Sequence, residues 1–223
     1  MVDVIAWAGA YHIIPSRYPP ITIFDDVADP ADLETVVSLA AATNPRILEE
    51  AGDLHLVRDE DRVAGPGTTP IMAAFTHTRP SRFGNGSFGI YYAAIDEATA
   101  IAETAFHRAR FLRDARLPNE RLDMRAYRVY ITGRYSDIRQ VPLSDPRYDP
   151  DPNKYAAGQK YGLTIYEQNR LDGIVFHSVR RHSGECVAVF RPARISNCTV
   201  SHHLEYRFRD YLFEGALTIE ARR

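Results

Sequence analysis

The chain has 223 residues, 45% of them hydrophobic and 25% charged, with a net charge of −2. That balance suits one ordinary globular domain spanning 1–223; it excludes a bulk basic field for nucleic acid and, with only two cysteines, a disulfide framework. No apolar run approaches the roughly 18 residues that span a bilayer, and no basic region leads into an apolar core as in a signal peptide. A cytoplasmic protein that binds neither membrane nor nucleic acid directly is therefore expected. Residues 10–14 read as a strand that Pro15 ends, and Arg17, Tyr18, Pro19 and Pro20 form a rigid turn. Such a turn either presents a guanidinium and a ring at a pocket rim or packs on a neighbouring strand. Asp29 and Pro30 start a helix as N-cap and first residue. Its apolar face is Leu33, Val36, Val37 and Ala40, and Asn44-Pro45 ends it. Residues 44–70 read as a short helix and a loop broken by Gly65, Pro66, Gly67 and Pro70. Neither a Walker motif nor GxGxxG is present. Residues 71–77 (IMAAFTH) read as a buried strand, with His77 at its end either structural or touching a ligand.

Residues 79–114 carry the most chemistry. Residues 79–89 are a Gly/Ser/Asn loop with Arg82 at its middle, and residues 89–94 (GIYYAA) are a short buried strand that includes Tyr92. A helix over 96–112 has the apolar stripe Ile101, Ala102, Ala105, Phe106, Ala109 and Leu112. Glu103 lies beside that stripe, one turn before His107. Residues 122–133 alternate as a half-exposed strand. Residues 142–153 form a proline-rich loop with Asp145, Asp149 and Asp151, whose spacing fits no calcium loop, so no metal is expected. A second helix covers 155–169. Residues 173–180 (GIVFHSVR) read as a strand with Ser178 at its exposed end, and 185–191 as its hairpin partner. Alternation places Phe176, Ser178 and Arg180 on one face and Val175 and Val179 on the other. Residues 202–211 read as an edge strand. His202 and His203 point to opposite faces there and are poor co-ligands.

Arg82 in SRF, Glu103 in AIAET and Ser178 in FHSVR resemble the Arg, Glu and Ser that name the RES domain. The resemblance runs from IPSRYPP at Ile14 to about Ile195 and takes in GPGTTPIMAAFTH, YYAA and ECVAVFRP in order. RES proteins are similar to toxins of bacterial type II toxin–antitoxin pairs and resemble ADP-ribosyltransferases. The resemblance implies an α+β fold, ADP-ribosyltransferase-like, with mainly antiparallel strands in two packed sheets around an NAD cleft and flanking helices. It implies NAD as substrate, an Xre-like antitoxin that occludes the site, and a contact of Arg17 and Tyr18 with NAD. His12 stands where many relatives have an arginine.

Cleaving the nicotinamide–ribose bond asks little nucleophilic power of a protein, because the leaving group is already cationic. A carboxylate near the ribose stabilises the oxocarbenium-like transition state or orients the acceptor; Glu103 is the candidate. Arg82 and Arg17 suit the pyrophosphate, since a guanidinium binds phosphate oxygens as a fork. Tyr18 and Tyr92 can stack on a base, and Ser178 can hydrogen-bond ribose or phosphate; no GxSxG surrounds it to make it a nucleophile. The leading expectation is a toxin that depletes NAD by hydrolysis or phosphorolysis. The alternatives are a mono-ADP-ribosyltransferase acting on a specific protein and a catalytically inert module that only receives an antitoxin. Water, phosphate and a protein side chain can all attack the same ribose carbon.

Overall fold

The computed structural model describes residues 1–16 and 23–219. Strands β1 (Val2–Pro15), β2 (Tyr91–Ala94), β3 (Glu120–Asp137), β4 (Gly173–His177), β5 (Glu185–Val189), β6 (Ile195–Arg209) and β7 (Leu212–Ile219) alternate with helices α1 (Leu33–Thr43), α2 (Arg46–Ala51), α3 (Thr69–Thr76), α4 (Glu97–Asp114) and α5 (Ala156–Gln168). The strands form one seven-stranded sheet in the order β1-β2-β5-β4-β3-β6-β7, with β1 also paired to β3. The fold is thus mixed α+β, and among the described strands only β3 and β4 run parallel.

The expected two separate sheets are instead one connected sheet. Its continuity comes from the length of β3. One edge of β3 pairs with β1 from Val2↔Ser136 to Pro15↔Met124. The opposite edge pairs first with β6, up to Ile131, and then with β4 at Tyr135–Asp137. From β4 the ladder runs through β5 and β2 back to β1 at Tyr11↔Ala94, so five strands close on themselves. Register shifts at Ala126/Tyr127 and Arg128/Tyr130 add the local twist that this change of partner needs.

Alternation along the strands splits the interior in two. Val175, Val187 and Val189 join Phe24, Leu33, Met72 and Phe75 on the side of α1 and α3. Phe176, Ala188 and Met124 join Ala105, Ala109, Leu112 and Ile165 on the side of α4 and α5. The opposite placement of Val175 and Phe176 is the one alternation predicts.

Two expectations are corrected. Residues 71–77 are not a strand but most of α3, started by Pro70 in its first turn. Ile71, Met72 and Phe75 are buried at helical spacing on that short run. Nor does β6 lie at the edge, because β7 covers it. The connecting turn holds Asp210 and Tyr211 at φ 49° and 63° between the paired Arg209 and Leu212, a two-residue hairpin without the usual Asn-Gly or Asp-Gly. No helix among the described residues is long and apolar enough to cross a membrane.

Candidate active site

The loop between α3 and β2 is fixed from both sides before any chemistry is added. Phe83 and Phe88 are buried within it. On α5, a Cβ at Gly158 would meet the Arg82 carbonyl at 2.4 Å, and one at Gly162 would meet that of Phe83 at 1.9 Å. Only glycine lets the helix lie this close to the loop backbone. Arg82 is thereby turned inward and is 6% exposed. Its Nη1 donates to the carbonyls of Asp149 at 2.8 Å and Arg147 at 3.4 Å, its Nη2 to the Tyr155 hydroxyl at 3.2 Å. The guanidinium carbon lies 4.5 Å from the centre of the Tyr155 ring. Arg82 therefore staples the aspartate- and proline-rich strap of residues 145–155. Asp145 and Asp151 cap the short turns of that strap through the backbone N–H groups of Arg147 and Asn153. Tyr148 is fully buried and donates to the Ile138 carbonyl at 2.9 Å.

Tyr92 faces the same loop. Its hydroxyl accepts the Phe83 N–H at 3.1 Å and lies 2.9 Å from Ser81 Oγ. Burial pushes its pKa up to about 12, so it stays a neutral phenol. Behind it, His12 stacks on Tyr91 with ring centres 4.1 Å apart, and its Nδ1 donates to the Tyr92 carbonyl at 2.7 Å. Burial lowers the His12 pKa to about 4. His12 thus supports the β2 backbone as a neutral ring. His77 is exposed and bonds the Glu50 carbonyl at 3.0 Å.

Glu103 and Ser178 meet where α4 faces the turn after β4. Asp96 caps α4 by accepting the Thr99 N–H at 2.9 Å, which fixes the phase of the helix. That phase carries Ala105, Ala109 and Leu112 into the interior and leaves Glu103 half-buried. Ser178 Oγ donates to Glu103 Oε1 at 2.6 Å, and accepts the backbone N–H groups of Arg180 at 3.0 Å and Arg181 at 3.1 Å. Ser178 is 4% exposed, buried rather than at an open strand end, because the turn folds back over it. Arg181 ties that turn to the start of α4 through Asp96 at 3.2 Å and Thr99 Oγ1 at 3.0 Å. Glu103 Oε2 takes no hydrogen bond from the described residues. Burial, then the Glu103 charge, pushes the neighbouring Cys186 thiol well up, so it is no ready nucleophile.

Arg82, Tyr92, Glu103 and Ser178 are accordingly brought to one side of the sheet, where Phe176 contacts both Phe83 and Tyr92 edge-on and the charges of Glu103 and Arg82 both act on Cys186. Arg17 and Tyr18 lie outside the described residues. Sequence reasoning assigned no role to Arg180, whose guanidinium carbon sits 3.3 Å from the centre of the Phe106 ring and whose Nη2 donates to the Pro150 carbonyl. The only available signal was its place two residues after Ser178. Two recesses lie apart from this cluster: a small one lined by Arg58, Tyr166 and Pro192, and an open one of about 210 Å³ beside Gly9 and Arg128. Neither contains the hydrogen-bonded carboxylate that gives the cluster its chemistry, which reaches solvent through the half-buried Glu103.

The RES domain family model matches residues 59–209, a span that includes Arg82, Glu103 and Ser178. A protein of Sinorhizobium fredii (strain NBRC 101917 / NGR234), the uncharacterized protein y4oC, is 27% identical over 198 residues, which cover 88% of this chain and 81% of that protein. With more than half of its length matched by the family model, and with the Arg, Glu and Ser of the family name gathered on one side of its sheet, the chain belongs to the RES domain family.

Proposed function

We propose that this chain cleaves the nicotinamide–ribose bond of NAD, and that it does so as the toxin of a toxin–antitoxin pair. The observation that carries the reading is the Ser178–Glu103 pair. A short hydrogen bond from Ser178 to Oε1 fixes the carboxylate and leaves Oε2 without a donor among the described residues. A carboxylate fixed in this way is suited to a sugar cation. As the C1′–N bond breaks, its electron pair leaves with nicotinamide, and Oε2 stabilises the positive charge on the ribose. A water or phosphate oxygen then bonds to C1′; a water gives up its proton, for which Glu103 is the nearest base. Ser178 acts by orienting Glu103 rather than as nucleophile. Tyr92, held neutral, offers a ring to a base, with Arg17 and Tyr18 as further contacts on the strength of the family resemblance. The ADP-ribosyltransferase-like arrangement, the Xre-like antitoxin that covers the site and a cytoplasmic location belong to the same proposal.

Transfer of ADP-ribose to a protein uses the same carbon and the same carboxylate, so products must decide. Labelled NAD incubated with the purified chain, with and without phosphate, should yield free nicotinamide and either ADP-ribose or its phosphorylated form by mass spectrometry. Glu103→Gln should lower turnover by about a hundredfold or more, while its melting temperature falls by no more than about 6 °C, since the amide oxygen still accepts from Ser178 but without the charge. Mass added to a co-incubated protein would favour transfer. No loss of NAD under any condition would overturn cleavage.

A further inference from the structure

We propose that Arg180 is the residue that grips the diphosphate of the substrate, beside the Glu103–Ser178 pair; this rests on the reading of NAD as substrate. The other arginines near the pair are committed elsewhere. Arg82 is buried, with both terminal nitrogens on carbonyls and a hydroxyl of residues 147–155. Arg147 is paired with Asp145, and Arg181 with Asp96 and Thr99.

Arg180 differs in three respects. Its backbone N–H rests on Ser178 Oγ, so it follows directly from the group that holds Glu103. Its guanidinium lies on the face of Phe106, one turn along α4 from Glu103. That stacking holds the planar fork in place before any ligand arrives. Finally, its donors are largely unmet. Nη2 donates to the Pro150 carbonyl, while Nε is buried with no acceptor. A buried guanidinium N–H without an acceptor is costly, and two adjacent phosphate oxygens in fork geometry would satisfy it. The spacing suits NAD. Only the ribose ring and C5′ separate C1′ from the nearer phosphate, so the gripping cation must stand close to the carboxylate at C1′, and Phe106, which carries the Arg180 guanidinium, is one turn along α4 from Glu103.

The test uses the full chain with Arg180→Ala and Arg180→Lys. The lysine variant keeps the charge and an aliphatic stem but loses the planar fork that lies over Phe106, and serves if the alanine variant fails to fold. Both variants should raise KM for NAD roughly tenfold or more with kcat little changed. Competition by inorganic pyrophosphate, and its shift of the melting temperature, should weaken by a similar factor. A variant with unaltered KM and unaltered response to pyrophosphate would overturn the assignment while leaving NAD cleavage standing. A fall in kcat alone would also overturn it, marking Arg180 as support for Ser178. If the wild-type chain cleaves no NAD yet pyrophosphate stabilises it through Arg180, the cleavage reading fails and the diphosphate site remains. If pyrophosphate affects neither protein, the site itself is refuted.

Discussion

Replacing Ser178 by alanine removes one donor and two accepted hydrogen bonds at a single atom. The bond to the Glu103 carboxylate is short and charge-assisted, and its loss costs about 1.5–3 kcal/mol. Arg181 is exposed and its N–H can turn to water, whereas Arg180 is half-buried and its N–H is satisfied less readily. Together the substitution should lower stability by about 2–4 kcal/mol. For a chain of this length that is a fall in melting temperature of roughly 4–16 °C. This departs from what an exposed Ser178 would do, namely weaken catalysis and leave stability alone. Calorimetry on Ser178→Ala, Glu103→Ala and the double variant closes a thermodynamic cycle, which should return a coupling of about 1.5–3 kcal/mol. NAD turnover should fall in Ser178→Ala as well, since Glu103 loses its fixed orientation. A melting temperature within 2 °C of wild type together with zero coupling would refute the account of the pair.

The remaining expectations are simpler. Arg82→Lys should cost about 1–3 kcal/mol, because one ammonium cannot reach the Arg147 and Asp149 carbonyls and the Tyr155 hydroxyl together; faster hydrogen exchange confined to residues 145–155 would show it, and unchanged exchange would count against the staple. Val175→Ala, at a fully buried position under α1 and α3, should cost about 2 kcal/mol through a cavity and leave NAD turnover per folded molecule intact. The His12 pKa is about 4 in the folded chain, below its ordinary 6.5, so the unfolded chain takes up the proton first. Stability should therefore be lost as pH falls from about 6.5 to about 4 and level off below, by up to about 3 kcal/mol; denaturant melts of wild type against His12→Phe, which keeps the stacking on Tyr91, should differ in slope only in that window, and parallel curves would contradict it.

The elements legible in the sequence are those whose signals are local. The stripe through Ala105, Ala109 and Leu112 gives α4 to within two residues at either end, and the alternation of Val175 and Phe176 gives their opposite faces. The short run 71–77 carried too few periods to separate helix from strand, and Pro70 in the first turn of α3 was its overlooked signal. The hairpin at Asp210-Tyr211 lacks the glycine that announces such turns. For the site, sequence reasoning singled out Glu103 and Ser178, which do meet. It could not see that Ser178 is buried or that the Arg82 guanidinium turns onto carbonyls of residues 145–155. Those partners are more than sixty residues away in the chain, and a Gly/Ser loop reads as solvated when its tertiary acceptors are unknown.

The double use of β3 also sets an order of events during folding. Val2 pairs with Ser136 and Pro15 with Met124, so β1, which otherwise meets β2 only at Tyr11↔Ala94, has no extended ladder to join until β3 has been made. Ser178 follows later still, on a turn that can dock only when both β4 and the start of α4 are in place. Such long-range pairings put the chain among slow folders, on the millisecond-to-second scale. On a ribosome, the Arg82 loop and the Glu103 helix would be complete well before the serine that aligns the carboxylate. A nascent chain would thus hold the parts of the site unassembled until β4 and β5 emerge, and the Ser178–Glu103 pair would then form in one step.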